Sequence, residues 1–238
     1  MLPTIETCFS PSLLHLYDLK GKIVIIIDVF RATSTIATAL HQGAKAVIPV
    51  ASVEECIALG NEIPNSITAG ERNGMVVEGL QHGNSPLSYP NSFIQDKTLI
   101  LTTTNGTRLL HQCLAADEIL TGSFLNLDAI CSYIVSQKKD VLLACASWKD
   151  RYNLEDSLFA GAVYEQVQQH FAMNCDSTRA ALHLYKAAKT NLYAFIQDSS
   201  HFIRLSKHGL EYDMEYCCML NKHNVVVKLN GRELLIAK

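Results

Sequence analysis

One plan recurs three times in this chain and constrains its fold more than any other feature. KIVIIIDVFRATSTIATAL (residues 22–40), KTLILTTTNGTRLLHQCL (97–114) and KDVLLACASWKDRYNLEDSLFAGAVYEQV (139–167) each begin with a lysine before a short, nearly all-apolar run. Polar residues and then a helical pattern follow. Apolar runs of this length without alternation fit strands covered on both faces, as in a parallel sheet. AVIPV (46–50), DEILTG (117–122) and ITAG before Glu71 read as further strands, and Ser52 with Glu55 has capping-box spacing for the next helix. Strand and helix thus alternate over residues 1–150, whereas 154–220 is mainly helical. NVVVKLNGRELLIAK reads as a hairpin around Asn230-Gly231. The expected fold is α/β, a three-layer α/β/α sandwich with a mixed, mostly parallel sheet, a late helical segment and a C-terminal β-hairpin, in one domain over residues 1–238.

Composition narrows the partners. A chain of 238 residues, 48% hydrophobic and 18% charged, can bury a sizeable core, and a net charge of −3 supplies no field for nucleic acid. No apolar run approaches the roughly 20 residues that span a bilayer, and MLPTIETCFS has no basic segment followed by an apolar one. Eight cysteines without a C-x-x-C pair or zinc spacing, Cys217 and Cys218 adjacent, read as reduced and mostly buried thiols. The expectation is a cytoplasmic protein with no membrane or nucleic-acid contact; a homodimer remains open.

Ligands of open α/β sheets bind beyond the carboxyl ends of the strands, and this chain concentrates its unusual polar residues there. TTTNGT (102–107) is longer than a turn requires: it is either a helix cap with a turn, or a cradle in which Thr103, Thr104, Asn105, Gly106 and Thr107 hold an anion. In DVFRATST, Asp28 is either neutralised by Arg31 as a structural pair, or it coordinates a cation or attacks phosphorus while Arg31 grips an oxyanion. A second aspartate two residues later, as in haloacid-dehalogenase phosphatases, is missing, because Phe30 stands there. Cys145 and Arg151 have the Cys-x5-Arg spacing of cysteine-dependent phosphatases, but the loop has no glycine, and packing is the commoner role for such a cysteine. Glu155 and Asp156 open a helix, where they either favour its dipole or supply oxygen ligands to Mg²⁺. Glu71 and Arg72 follow ITAG, and HGNSP (82–86) brings Asn84 and Ser85. The nine histidines show no ligand spacing; His201 and His208 stand in a charged helical context, and most of the nine are expected to be solvated.

These stretches together resemble the 2-phosphosulfolactate phosphatase (ComB) family along nearly the whole chain. IDVFRATST is similar to the family's IDVLRATTT, GERNG…HGNSP to GER-x-G…GNSP, RYNLED to the end of GR-x-S-L-E-D, and TTTNGT is the same. The resemblance implies a Mg²⁺-dependent phosphatase of α/β/α fold that releases phosphate from 2-phospho-3-sulfolactate, a step that leads to coenzyme M in methanogens. Two departures lie near the implied pocket: CAG-x-x-GR is CASWKDR here, and FDLGNSP is LQHGNSP.

A substrate with phosphate, carboxylate and sulfonate needs several cations. On this reading Asp28, Glu155 and Asp156 hold Mg²⁺. Arg31, Arg72 and Arg151 bind the anionic arms, with Asn84, Ser85 and the TTTNGT turn on the remaining oxygens. Glu71 or Glu78 is a further ligand or the general acid. The alternatives are a cysteine-dependent phosphatase using Cys145 and Arg151, and a non-catalytic anion-binding homologue.

Overall fold

The computed structural model describes residues 1–72 and 74–237. Its strands are β1 (Ile5–Cys8), β2 (Ile23–Ile27), β3 (Ala46–Val50), β4 (Ser66–Arg72), β5 (Met75–Val76), β6 (Thr98–Thr102), β7 (Glu118–Gly122), β8 (Val141–Cys145), β9 (Val227–Asn230) and β10 (Glu233–Ile236). They form one mixed sheet in the order β1-β8-β2-β7-β9-β10-β3-β6-β4-β5. All three repeated apolar runs are strands, and each is buried along its whole length.

Burial on both faces follows from the pleat, which sends successive side chains to opposite sides. In β2, Ile23, Ile25 and Ile27 join one hydrophobic cluster while Val24 and Ile26 join another. The first cluster is closed by α5 (Leu127–Gln137), α6 (Leu154–Val167) and α7 (Asp176–Ala188) through residues such as Ile130, Phe159 and Leu182. The second is closed by α1 (Ala32–His41) and α4 (Gly106–Gln112) through Ile36, Leu40 and Leu109. Helix α2 (Val53–Glu62) covers β3 and β6 in a smaller cluster with Cys56. The result is the expected three-layer sandwich.

Helix α2 starts as its sequence requires, with Ser52 Oγ accepting from the Glu55 N–H at 3.1 Å. Glu55 reaches back one residue further than a capping box does, accepting from the Ala51 N–H at 3.0 Å.

The hairpin differs from expectation in turn and place. Glu233 pairs with Asn230, so the two turn residues are Gly231 and Arg232, one step later than read. It also lies in the middle of the sheet: β9 pairs antiparallel with β7, and β10 with β3. The last strands of the chain therefore join two parallel blocks, β1-β8-β2-β7 and β3-β6-β4. Glu71 and Arg72 belong to β4 rather than following it.

The helical segment continues as α8 (Leu192–Ile196), α9 (Ser200–Ser206) and α10 (Glu211–Cys217), with the short α3 (Asn91–Ile94) earlier in the chain. All eight cysteines are free and seven are buried. Among the described residues, no helix is long and apolar enough to cross a membrane.

Candidate active site

The loops after β2, β4, β6 and β8 meet helix α9 around one cleft. Asp28, Phe30, Arg31, Glu71, Asn84, Thr104, Asn105 and Trp148 line it, with His201, Arg204 and Leu205 from α9 opposite.

Asp28 leaves β2 into the N-terminal turn of α1. Its N–H donates to Thr33 Oγ1 at 3.2 Å, and Thr33 Oγ1 donates back to the Asp28 carbonyl at 2.9 Å, which fixes the turn. One carboxylate oxygen accepts only a long 3.4 Å bond from the Ala32 N–H. Burial and the negative charge of Glu71 push its pKa up to about 6, against the opposing pull of His201 and the Ala32 N–H. A buried carboxylate with so little compensation is suited to meeting a cation.

Glu71 ties two loops to this point. Its Oε1 accepts from the Thr104 N–H at 2.9 Å and its Oε2 from the Gly74 N–H at 2.8 Å. Each oxygen keeps a lone pair, and the side chain borders the cleft. Asn84 is buried, and its Oδ1 has no hydrogen-bond partner. Asp28, Glu71 and Asn84 thus offer hard oxygen donors to one space. Mg²⁺ uses one or two carboxylates with water and substrate oxygens, so these residues fit it without a cage. Among the described residues, no group of three or more His, Cys, Asp or Glu side chains is placed to hold a metal ion.

The TTTNGT turn divides between structural and cleft-facing roles. Thr103 and Thr107 serve each other: each hydroxyl accepts from the other's N–H, at 3.3 and 3.4 Å, and neither borders the cleft. Thr102 Oγ1 accepts from Arg72. Thr104 and Asn105 do border the cleft. Asn105 Oδ1 accepts from the Lys149 N–H at 3.3 Å, which leaves its Nδ2 as a donor. Gly106 is needed for space rather than for a special dihedral. A Cβ there would sit 2.7 Å from Asp28 Oδ2 and 3.1 Å from the Ala32 methyl, and its φ is not positive.

Six further expected site residues lie outside the cleft, and a seventh, Arg31, lines it with an unexpected partner. Arg31 lines the cleft, but its partner is Asp213 of α10 rather than Asp28; this buried pair is extended by Ser85 Oγ, which donates to Asp213 at 2.7 Å, and by the Gly74 carbonyl. Ser85 therefore positions Arg31 and does not face the cleft. Arg72 is held by the Glu71 carbonyl and Thr102 in a separate cleft with Arg108 and His111. Arg151 is exposed, closing a turn through reciprocal backbone hydrogen bonds with Trp148. Asp156 is spent on structure, its two oxygens accepting from the Val29 and Ser147 N–H groups at 2.9 and 3.2 Å. Burial and the charges of Glu155 and Asp28 hold its pKa well above the ordinary range, and it does not line the cleft. Glu155, fully buried, accepts from His201 Nδ1 at 2.5 Å and does not line the cleft. Glu78 is exposed and away from the cleft.

Cys145 faces the core and does not line the cleft. It is buried in the core at the end of β8, and burial, with the charge of Asp156, raises its thiol well above the usual value. The loop after it explains the departure from CAG-x-x-GR. Ser147, Lys149 and Asp150 have φ of 53°, 51° and 63°, and positions 147 and 150 are the two where the family pattern has glycine. Lys149 and Asp150 form the centre of a two-residue turn between Trp148 and Arg151, a turn type that needs positive φ at both positions. The chain keeps the backbone of a glycine loop while carrying side chains on it.

Sequence reasoning missed His201, Arg204 and Asp213. Most of the histidines were expected in solvent, and His201 is buried against Glu155. The signal available was spacing: His201 and Arg204 stand three apart, on one face of a helix.

The 2-phosphosulpholactate phosphatase family model matches residues 8–232. A protein of Caldanaerobacter subterraneus subsp. tengcongensis named "Probable 2-phosphosulfolactate phosphatase" is 40% identical over 217 residues, 90% of each chain. Proteins of the same name from Thermotoga petrophila and Clostridium perfringens are 41% and 33% identical, over 82% and 97% of this chain and 84% and 95% of their own. With residues 8–232 matched by the family model and relatives covered over most of both lengths, the chain belongs to the 2-phosphosulpholactate phosphatase family.

Proposed function

We propose that this protein is a Mg²⁺-dependent phosphatase that hydrolyses 2-phospho-3-sulfolactate to 3-sulfolactate and inorganic phosphate. The observation that carries this is Asp28: a buried carboxylate raised to about 6, beside Glu71 and the unpartnered Asn84 Oδ1, in a cleft that also contains arginines. Asp28, Glu71 and Asn84 would hold the ion, which when bound polarises a phosphoryl oxygen and lowers the local negative charge. Arg31, fixed by Asp213, and Asn105 Nδ2 orient the phosphoryl oxygens. His201, whose ring borders the cleft and whose Nδ1 is engaged by the Glu155 carboxylate, would donate a proton to the leaving alkoxide. This replaces Glu78, which is exposed.

The test is phosphate release from 2-phospho-3-sulfolactate by the purified protein, with EDTA and then with added Mg²⁺. Release that stops in EDTA and returns with Mg²⁺ is expected. Full turnover in EDTA refutes the metal assignment, and binding of 3-sulfolactate without any turnover identifies a non-catalytic homologue.

A further inference from the structure

Helix α9 brings a second cation to the cleft, and its surroundings differ from those of Arg31. Arg31 is neutralised by Asp213. Arg204 has no carboxylate within ion-pair distance among the described residues. Its Nη2 is buried without any hydrogen-bond partner, and its Nη1 makes only a 3.5 Å contact with the Ser200 carbonyl. The guanidinium instead lies 3.7 Å from the centre of the Trp148 ring. Such stacking fixes the plane of the fork while leaving its N–H edge free. Arg204 is half-buried, and burial lowers its pKa from the usual arginine value against the opposing charge of Glu155. Leaving a charged donor unpaired in this setting is costly, and an oxyanion offsets that cost.

We propose that Arg204, held by Trp148, grips a second oxyanion of the substrate, a carboxylate or sulfonate carried beside the phosphate ester. It thereby sets which phosphate monoesters the cleft accepts. The inference rests on the proposed phosphatase reading and deepens it. Arg204 and Arg31 divide the work. Arg31 is locked to Asp213 and serves a fixed point, while the free fork of Arg204 meets a group that only some esters possess.

Three substrates separate the contributions: 2-phospho-3-sulfolactate with both extra anions, 2-phospholactate with the carboxylate only, and isopropyl phosphate with neither. Arg204→Gln should lower kcat/KM for 2-phospho-3-sulfolactate at least tenfold more than for isopropyl phosphate, chiefly through KM. A matching loss on 2-phospholactate assigns the carboxylate, and a loss confined to 2-phospho-3-sulfolactate assigns the sulfonate; both support the proposal. Trp148→Leu should shift selectivity the same way by a smaller factor. Arg204→Lys, which retains charge and stem, should restore only part of the selectivity, and it stands in if Arg204→Gln does not fold. Equal losses on all three esters overturn the proposal, because Arg204 would then act on the phosphoryl group or on the fold. Should the wild type release phosphate from none of them, the phosphatase reading fails, and calorimetric binding of 3-sulfolactate still decides: affinity at least tenfold weaker in Arg204→Gln supports the contact, and unchanged affinity overturns it.

Discussion

Gly106→Ala tests the geometry of the cleft with one added methyl group. An ideal Cβ at residue 106 would lie 2.7 Å from Asp28 Oδ2, about 0.7 Å short of the 3.4 Å at which ordinary contact begins. The Ala32 methyl at 3.1 Å blocks a neighbouring direction of escape. The Asp28 carboxylate is the softer of these neighbours, so it should rotate away by several tenths of an ångström. Misplacement of a catalytic group by about 1 Å can cost roughly 100-fold in rate, so a loss of about 10- to 100-fold in kcat/KM is expected, with a weaker apparent affinity for Mg²⁺. Stability should fall, by up to about 3 kcal/mol. Overpacking costs roughly 1–3 kcal/mol, and the better helix propensity of alanine returns up to about 1 kcal/mol. The assay is phosphate release across a Mg²⁺ titration, with urea unfolding alongside. A variant with wild-type kcat/KM and wild-type Mg²⁺ dependence would refute the contact between the TTTNGT turn and Asp28 as a determinant of the site.

Other outcomes follow from the same structure. Asp28→Asn should abolish turnover and yet stabilise the metal-free protein at neutral pH. The folded pKa of Asp28 is raised from 3.8 to about 6, so its favourable protonated form persists below about pH 4 and is lost as pH rises through 6. That shift corresponds to about 3 kcal/mol, and urea melts of both proteins in EDTA at pH 4 and pH 7.5 should show the difference only at the higher pH. Cys145→Ser and Arg151→Ala should both keep most of kcat/KM, since one side chain is in the core and the other in solvent. The serine should cost about 1–2 kcal/mol of stability for a buried, unpaired hydroxyl; a folded but inactive Cys145→Ser enzyme would restore the thiol mechanism. Ser147→Gly should raise stability by about 1 kcal/mol, because it relieves a left-handed non-glycine residue and removes a buried hydroxyl that has no partner. A lower unfolding midpoint would show that the loop favours serine for another reason.

Local chemistry made the core legible in sequence alone. Runs such as IVIII and the LIL of TLILT are apolar on both pleat faces and fit central strands, and Ser52 with Glu55 marks a helix start by short-range hydrogen bonds. Asp28, Glu71, Thr104 and Asn105 were readable as cleft residues because they sit at strand ends. Tertiary structure decided what short-range rules do not reach. The last two strands joined the middle of the sheet because β7 and β3 both present edges that the hairpin can pair. Arg31 turned to Asp213, 182 residues away, and Glu155 to His201, 46 residues away. Asp156 became an anchor for two loops, and Arg204 entered the cleft on a helix that looked like ordinary surface. A charged side chain declares its need for a partner in sequence, but packing alone decides which of several distant partners lies within reach once water is excluded.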